Sequence, residues 1–132
     1  MTIELDRLAL RHGIRPGISE VVGRAAARLG TTPRTLRYRE ALGLVRPLRT
    51  RGGYRAYDER DLLAAACAAD IEKRYRVPPT AVAFALRALH DPEVRDEIQV
   101  LARLARHEPA PARAAALDFE TRKARALLRL AS

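Results

Sequence analysis

The chain has no tryptophan, two phenylalanines and one cysteine among its 132 residues, and each scarcity excludes something. A single cysteine cannot close an internal disulfide, so stability has to come from packing, in keeping with a reducing compartment. With aromatics at only 5%, the core must be built from Leu, Ala, Val and Ile, with Phe84 and Phe119 as the only phenylalanines. The longest apolar run, Leu62 to Ala69, is far shorter than the roughly 20 residues that cross a bilayer. Glu4 and Asp6 stand where a secretory leader would be basic, so a cytoplasmic location without membrane contact is expected. A metal sensor needs two or three soft ligands within reach of one another. Cys67 stands alone, and His12, His90 and His107 are scattered over three segments. There is no glycine-rich phosphate loop after a strand, no paired carboxylates at a plausible site and no nucleophile beside a base. Neither an enzyme, a metal nor a cofactor is therefore expected. Cys67 reads as the filler of a small core position, and the histidines as residues at helix ends.

Lysine is scarce too: apart from Lys73 and Lys123, every basic residue counted in the net charge of +9 is arginine. Positions 18–57 hold nine arginines against Glu20 and Glu40, so most of the excess sits in less than a third of the chain. A local excess of this kind attracts a polyanion, because each arginine that neutralises a phosphate releases condensed counterions. Arginines that merely solvate a surface would account for the residue type but not for the clustering.

The same segment has the layout of two helices and a hairpin. Gly23 to Leu29 is a short Ala-rich helix, and Gly30-Thr31 is a small-residue turn that lets a second helix cross the first steeply. Thr32 is placed to cap that second helix and Pro33 suits its first position, where no N–H is needed. At 100° per residue Arg34, Arg37, Tyr38 and Ala41 share one face, while Leu36 points the opposite way toward a core. Val45 to Leu48 and Tyr54 to Tyr57 read as extended runs joined by Arg49-Thr50-Arg51-Gly52-Gly53, a loop with the glycines a hairpin needs.

The order VGRAAARLGTTPRTLRYREALGLVRP…RTRGGYRAYDERDL resembles the MerR family of bacterial transcription regulators from about Val22 to about Leu89, most specifically in TPRTLRY and GGYRAYDERDL. The resemblance implies a mainly α fold: a winged helix-turn-helix with a small β-hairpin wing, then a dimerisation helix and a short C-terminal helix. It implies double-stranded DNA as the partner, bound at a pseudo-palindromic promoter operator by a homodimer, and contact with RNA polymerase through promoter DNA that is bent and untwisted. Arg34 is expected to reach a base edge, where bidentate contact with guanine is favoured. Thr32, Thr35, Arg37 and Tyr38 are better placed for phosphate oxygens, as are Arg49, Arg51, Tyr54 and Arg55 of the wing. One position departs from the family's RYYE motif: its second tyrosine is Arg39 here. That change either adds a phosphate contact or alters how the helix packs on the wing.

Outside this segment the chain divides by its breakers. Positions 1–17 form an N-terminal extension in which Leu5, Leu8, Ala9 and His12 are spaced for a short helix ended by Gly13, and which either docks on the core or stays loose. Positions 18–90 form the DNA-binding domain. It opens with a brief extended segment and ends with a buried helix over 58–75, capped by Asp58 and Asp61, and another over 79–89 carrying Val82, Leu86 and Leu89. Positions 91–108 hold a helix opened by Asp91-Pro92, whose Val94, Ile98, Leu101 and Ala105 follow the 4-3-4 spacing of a coiled-coil seam. In the family a helix here makes the dimer. Positions 109–132 form a last short helical segment, too small for a separate drug-binding domain. Two other roles fit the same sequence: an excisionase-like DNA-bending accessory factor, and a chaperone-coupled repressor or protein-binding adaptor.

Overall fold

The computed structural model describes residues 4–107 together with Arg125 and Leu128. The chain divides into two compact units, Met1–His90 and Asp91–Ser132. Apart from Arg125 and Leu128, which are helical, the last helical segment expected from the sequence falls outside the described residues.

The first unit opens with α1 (Leu5–His12), which ends at Gly13 in the left-handed conformation, φ +63°. Glycine is needed there twice over. A β-carbon would strain the backbone, and it would also lie 2.9 Å from the Arg28 guanidinium. That guanidinium fastens the extension to the rest of the unit: Nη1 donates to the Gly13 carbonyl at 2.8 Å, while Nε and Nη2 hold the Glu20 carboxylate at 2.5–3.0 Å. Leu8 and Ile14 are buried. The N-terminal extension therefore docks.

A short strand β1 (Ser19–Glu20) leads into α2 (Val22–Arg28), α3 (Pro33–Ala41), β2 (Leu48–Arg49), β3 (Arg55–Asp58), α4 (Glu59–Tyr75) and α5 (Pro79–His90). The three strands form one antiparallel sheet in the order β1-β3-β2, with Ser19 opposite Asp58, Glu20 opposite Tyr57, Leu48 opposite Ala56 and Arg49 opposite Arg55. The first hairpin strand is shorter and later than the extended run expected over Val45 to Leu48. Leu44 and Val45 are drawn into the core, so ladder pairing starts only after Pro47.

Helix α4 starts with a full capping box: the Asp61 N–H donates to Asp58 Oδ1 at 2.9 Å and the Asp58 N–H to Asp61 Oδ2 at 3.0 Å. Desolvation raises the Asp61 carboxyl above its ordinary value. The core gathers Ile14, Ala25, Ala26, Leu36, Leu44, Val45, Leu62, Ala65, Ala68 and Val82 around Tyr57, whose ring is fully buried. The aromatic at the centre is thus a strand tyrosine. Phe84 is half exposed on α5, and Phe119 lies outside the described residues. Burial pushes the Tyr57 phenol above its ordinary pKa.

The second unit, within its described residues, contains α6 (Pro92–Leu104), capped by the Asp91 carboxylate, which accepts from the Glu93 and Val94 N–H groups. The sequence suggested a helix whose seam runs to Ala105 within positions 91–108. It stops earlier because Arg106 turns into the left-handed region, φ 62°, and the His107 N–H returns to the Ala102 carbonyl at 2.7 Å. Ala105, the last seam position, is the C-cap. The helix buries none of its residues, and Ile98, Val100, Leu101 and Leu104 are exposed.

Candidate nucleic-acid interface

Helix α3 forms where local chemistry favours it. Thr32 is extended, φ −107° and ψ 155°, and its Oγ1 accepts from the Thr35 N–H at 3.1 Å, while Pro33 occupies the first turn. Gly30, at φ +68°, turns the chain between α2 and α3. Leu36 is fully buried and holds α3 on the core. Arg34, Arg37 and Tyr38 lie on the exposed side, with Thr32 exposed at the helix start and Thr35 half-buried beside it. The face read from helical periodicity is thus the face offered to solvent.

The wing is the β2–β3 hairpin. Its loop closes through the Thr50 N–H to the Tyr54 carbonyl at 2.8 Å and the Gly53 N–H to the Thr50 carbonyl at 2.9 Å. Gly53 has φ +82°, where a side chain would strain the backbone, and a β-carbon on Gly52 would come within 3.1 Å of the exposed Tyr54 ring. Arg49, Arg51 and Tyr54 are exposed, and Arg49 Nη1 also donates to the Gly53 carbonyl at 3.2 Å.

Three arginines of the basic segment are engaged by carboxylates, Arg55 only through its Nε. Arg28 serves Glu20, and this hydrogen-bonded ion pair holds the Glu20 carboxyl below its ordinary pKa and raises that of Arg28. Arg39, expected either to meet phosphate or to alter packing on the wing, does neither. It is buried, and its two Nη groups grip both oxygens of Glu72 on α4, Nη2 at 2.7 Å from Oε1. An inward-facing position beside Leu36 leaves a long cation no route to solvent, so it takes a carboxylate from the neighbouring helix. Arg55 is half-buried and donates from Nε to Glu40 Oε2 at 2.5 Å, tying the base of the wing to α3.

Within positions 18–57 the exposed guanidinium groups without an ion-pair partner among the described residues are Arg24, Arg34, Arg37, Arg46, Arg49 and Arg51. Arg24 on α2 and Arg46 before the wing went unassigned in the sequence. Charge composition contains them, but only exposure separates them from the arginines used internally. Conversely, Glu40 and Glu72 carried no sequence signal as partners, because the ion pairs they make span 15 and 33 residues.

Cys67 is half-buried on α4, and burial pushes its thiol up, which disfavours the reactive thiolate. Among the described residues, no group of three or more His, Cys, Asp or Glu side chains is placed to hold a metal, and no helix is long and apolar enough to cross a membrane.

Two helices crossing at a glycine turn, an exposed arginine-bearing second helix and an arginine-bearing hairpin define a winged helix-turn-helix, the DNA-binding unit of a transcription regulator. Residues 21–57 match the family model described as "MerR family regulatory protein". That family consists of regulators rather than enzymes. No curated protein and no solved structure matches the chain.

Proposed function

We infer that this protein is a homodimeric regulator that binds a pseudo-palindromic promoter operator in the bacterial cytoplasm, at the nucleoid, and reaches RNA polymerase through the promoter DNA. The observation that carries this reading is the separation of roles on α3: Leu36 and Arg39 face inward, while Arg34, Arg37 and Tyr38 face solvent beside an arginine-bearing wing. In the major groove Arg34 is the side chain for a guanine edge. Thr32, Thr35, Arg37 and Tyr38 flank it for phosphate, and Arg49, Arg51, Tyr54 and Arg55 hold the adjoining backbone from the wing.

Two such modules are needed for a palindrome, and α6 supports the pairing. Val94, Ile98, Leu101 and the C-cap Ala105 recur at coiled-coil spacing along α6, none of whose residues is fully buried among the described residues. The domains follow these roles: 1–17 an extension docked on the core, 18–90 the DNA-binding domain, 91–108 the dimer helix and 109–132 a C-terminal segment.

Selection of duplexes from a random pool tests the reading. It is expected to return a two-fold-related pair of half-sites bound with steep salt dependence. Enrichment without a consensus would favour the excisionase-like bending role, and absence of duplex binding would favour the protein-binding adaptor.

A further inference from the structure

We propose that Arg39 and Glu72 form a positioning pair that sets the rotation of the recognition helix α3, and thereby which base edge Arg34 reaches. This inference rests on the DNA-binding reading above. Arg39 and Glu40 are consecutive on α3, so their side chains leave the helix about 100° apart. One is tied to Glu72 on α4 and the other to Arg55 at the base of the wing. Two directional tethers at that angle fix a helix about its own axis.

Leu36 packs α3 on the core, but the α4 side of α3 is thinly packed. The space beside α3 is a cleft of about 210 Å³ walled by Leu29, Leu36, Ala65, Ala66 and Ala69, with Arg39 also in its lining. Alanines on the α4 side leave α3 without large interdigitating neighbours there, so the fork of hydrogen bonds to Glu72 supplies direction that the small side chains do not. A rotation of α3 by about 20° would move a side-chain head about 8 Å from the axis by about 3 Å. That displacement is enough to lose a bidentate contact with a base. Phosphate contacts from flexible arginines tolerate it better. The pair is therefore expected to control sequence discrimination more than overall affinity. Neither residue lies on the DNA-facing surface, so both act through the placement of Arg34.

The test starts from the best duplex selected by the wild-type protein and compares its affinity with that for a random duplex at fixed salt, alongside thermal melting. Glu72→Gln leaves a buried guanidinium without its full counter-charge, and both the melting temperature and the cognate-to-random ratio are expected to fall. The decisive variant carries Arg39→Met together with Glu72→Met. It replaces the pair with apolar groups of similar reach, which is expected to keep or raise the melting temperature. The ratio should nevertheless fall at least about fivefold, with random-duplex affinity unchanged within about twofold. Arg39→Lys serves if the double variant does not fold: it keeps the charge, loses the fork, and should lower the ratio in the same direction. A folded variant of either kind with the wild-type ratio overturns the inference alone. A wild-type protein without affinity for duplex DNA removes the DNA-binding reading and the inference with it.

Discussion

Arg55 offers the most informative single perturbation, because the proposed function gives it a second task beside its ion pair with Glu40. Its Nε donates to Glu40 at 2.5 Å, and its Nη groups have no partner among the described residues. In the proposed DNA-binding role, Glu40 would hold the guanidinium through Nε and the Nη groups would meet a phosphate. The side chain is 32% exposed, so a charged hydrogen bond made there is worth less than the buried value, about 1 kcal/mol, or roughly fivefold in affinity per half-site. Arg55→Ala should cost at least that on cognate and random duplexes alike. It should also lower the slope of log affinity against log salt by about 0.9 per half-site, a factor of about three to four in affinity between roughly 50 and 200 mM salt. Glu40→Gln should act in the opposite direction on random DNA, since it keeps the guanidinium and removes a negative charge from the interface. Arg55→Lys should fall between wild type and Arg55→Ala, because an ammonium is a point charge without a fork that can meet carboxylate and phosphate together. Fluorescence anisotropy of a labelled duplex across a salt series measures all three. An unchanged slope in Arg55→Ala, or weaker random-DNA binding in Glu40→Gln, would refute the two-sided role.

Arg34→Ala should cost about 1–3 kcal/mol on the selected duplex and relax preference at one base pair per half-site, with little effect on random DNA; selection repeated with the mutant checks this. Replacing the exposed Leu101 of α6 with Asp should leave the fold of the first unit intact and convert the proposed dimer to monomer in sedimentation, with DNA binding reduced to that of a half-site. A mutant that still sediments as a dimer would move the interface elsewhere. The Glu20 carboxyl, held below its ordinary pKa by Arg28, contributes stability that is present above its unfolded pKa and is lost as pH falls through its lower folded one. Thermal melts of wild type should therefore drop through that acid window, and Glu20→Gln should flatten this part of the profile while lowering stability at neutral pH.

Local rules made much of this legible from the residues. The Thr32 cap, Pro33, the Asp58-Asp61 box and the helix breakers at Gly13 and Pro79 act within a few residues, so α1, α3, α4 and α5 could be placed without a structure. The division of α3 into an outer face with Arg34, Arg37 and Tyr38 and an inner one at Leu36 follows from the helical period alone. The MerR resemblance also rests on contiguous sequence, and the family match falls within it.

Tertiary structure decided what one dimension does not encode. The wing strand begins at Leu48 rather than Val45 because the core takes Leu44 and Val45, and whether a residue is drawn inward depends on the elements around it. The arginines look alike in sequence, yet Arg28, Arg39 and Arg55 are held by Glu20, Glu72 and Glu40, while Arg34, Arg37 and Arg51 face solvent. Composition fixes how much charge the chain carries. Only the fold decides which charges are neutralised inside it and which remain for DNA, because an ion pair depends on distance in space and not on separation along the chain.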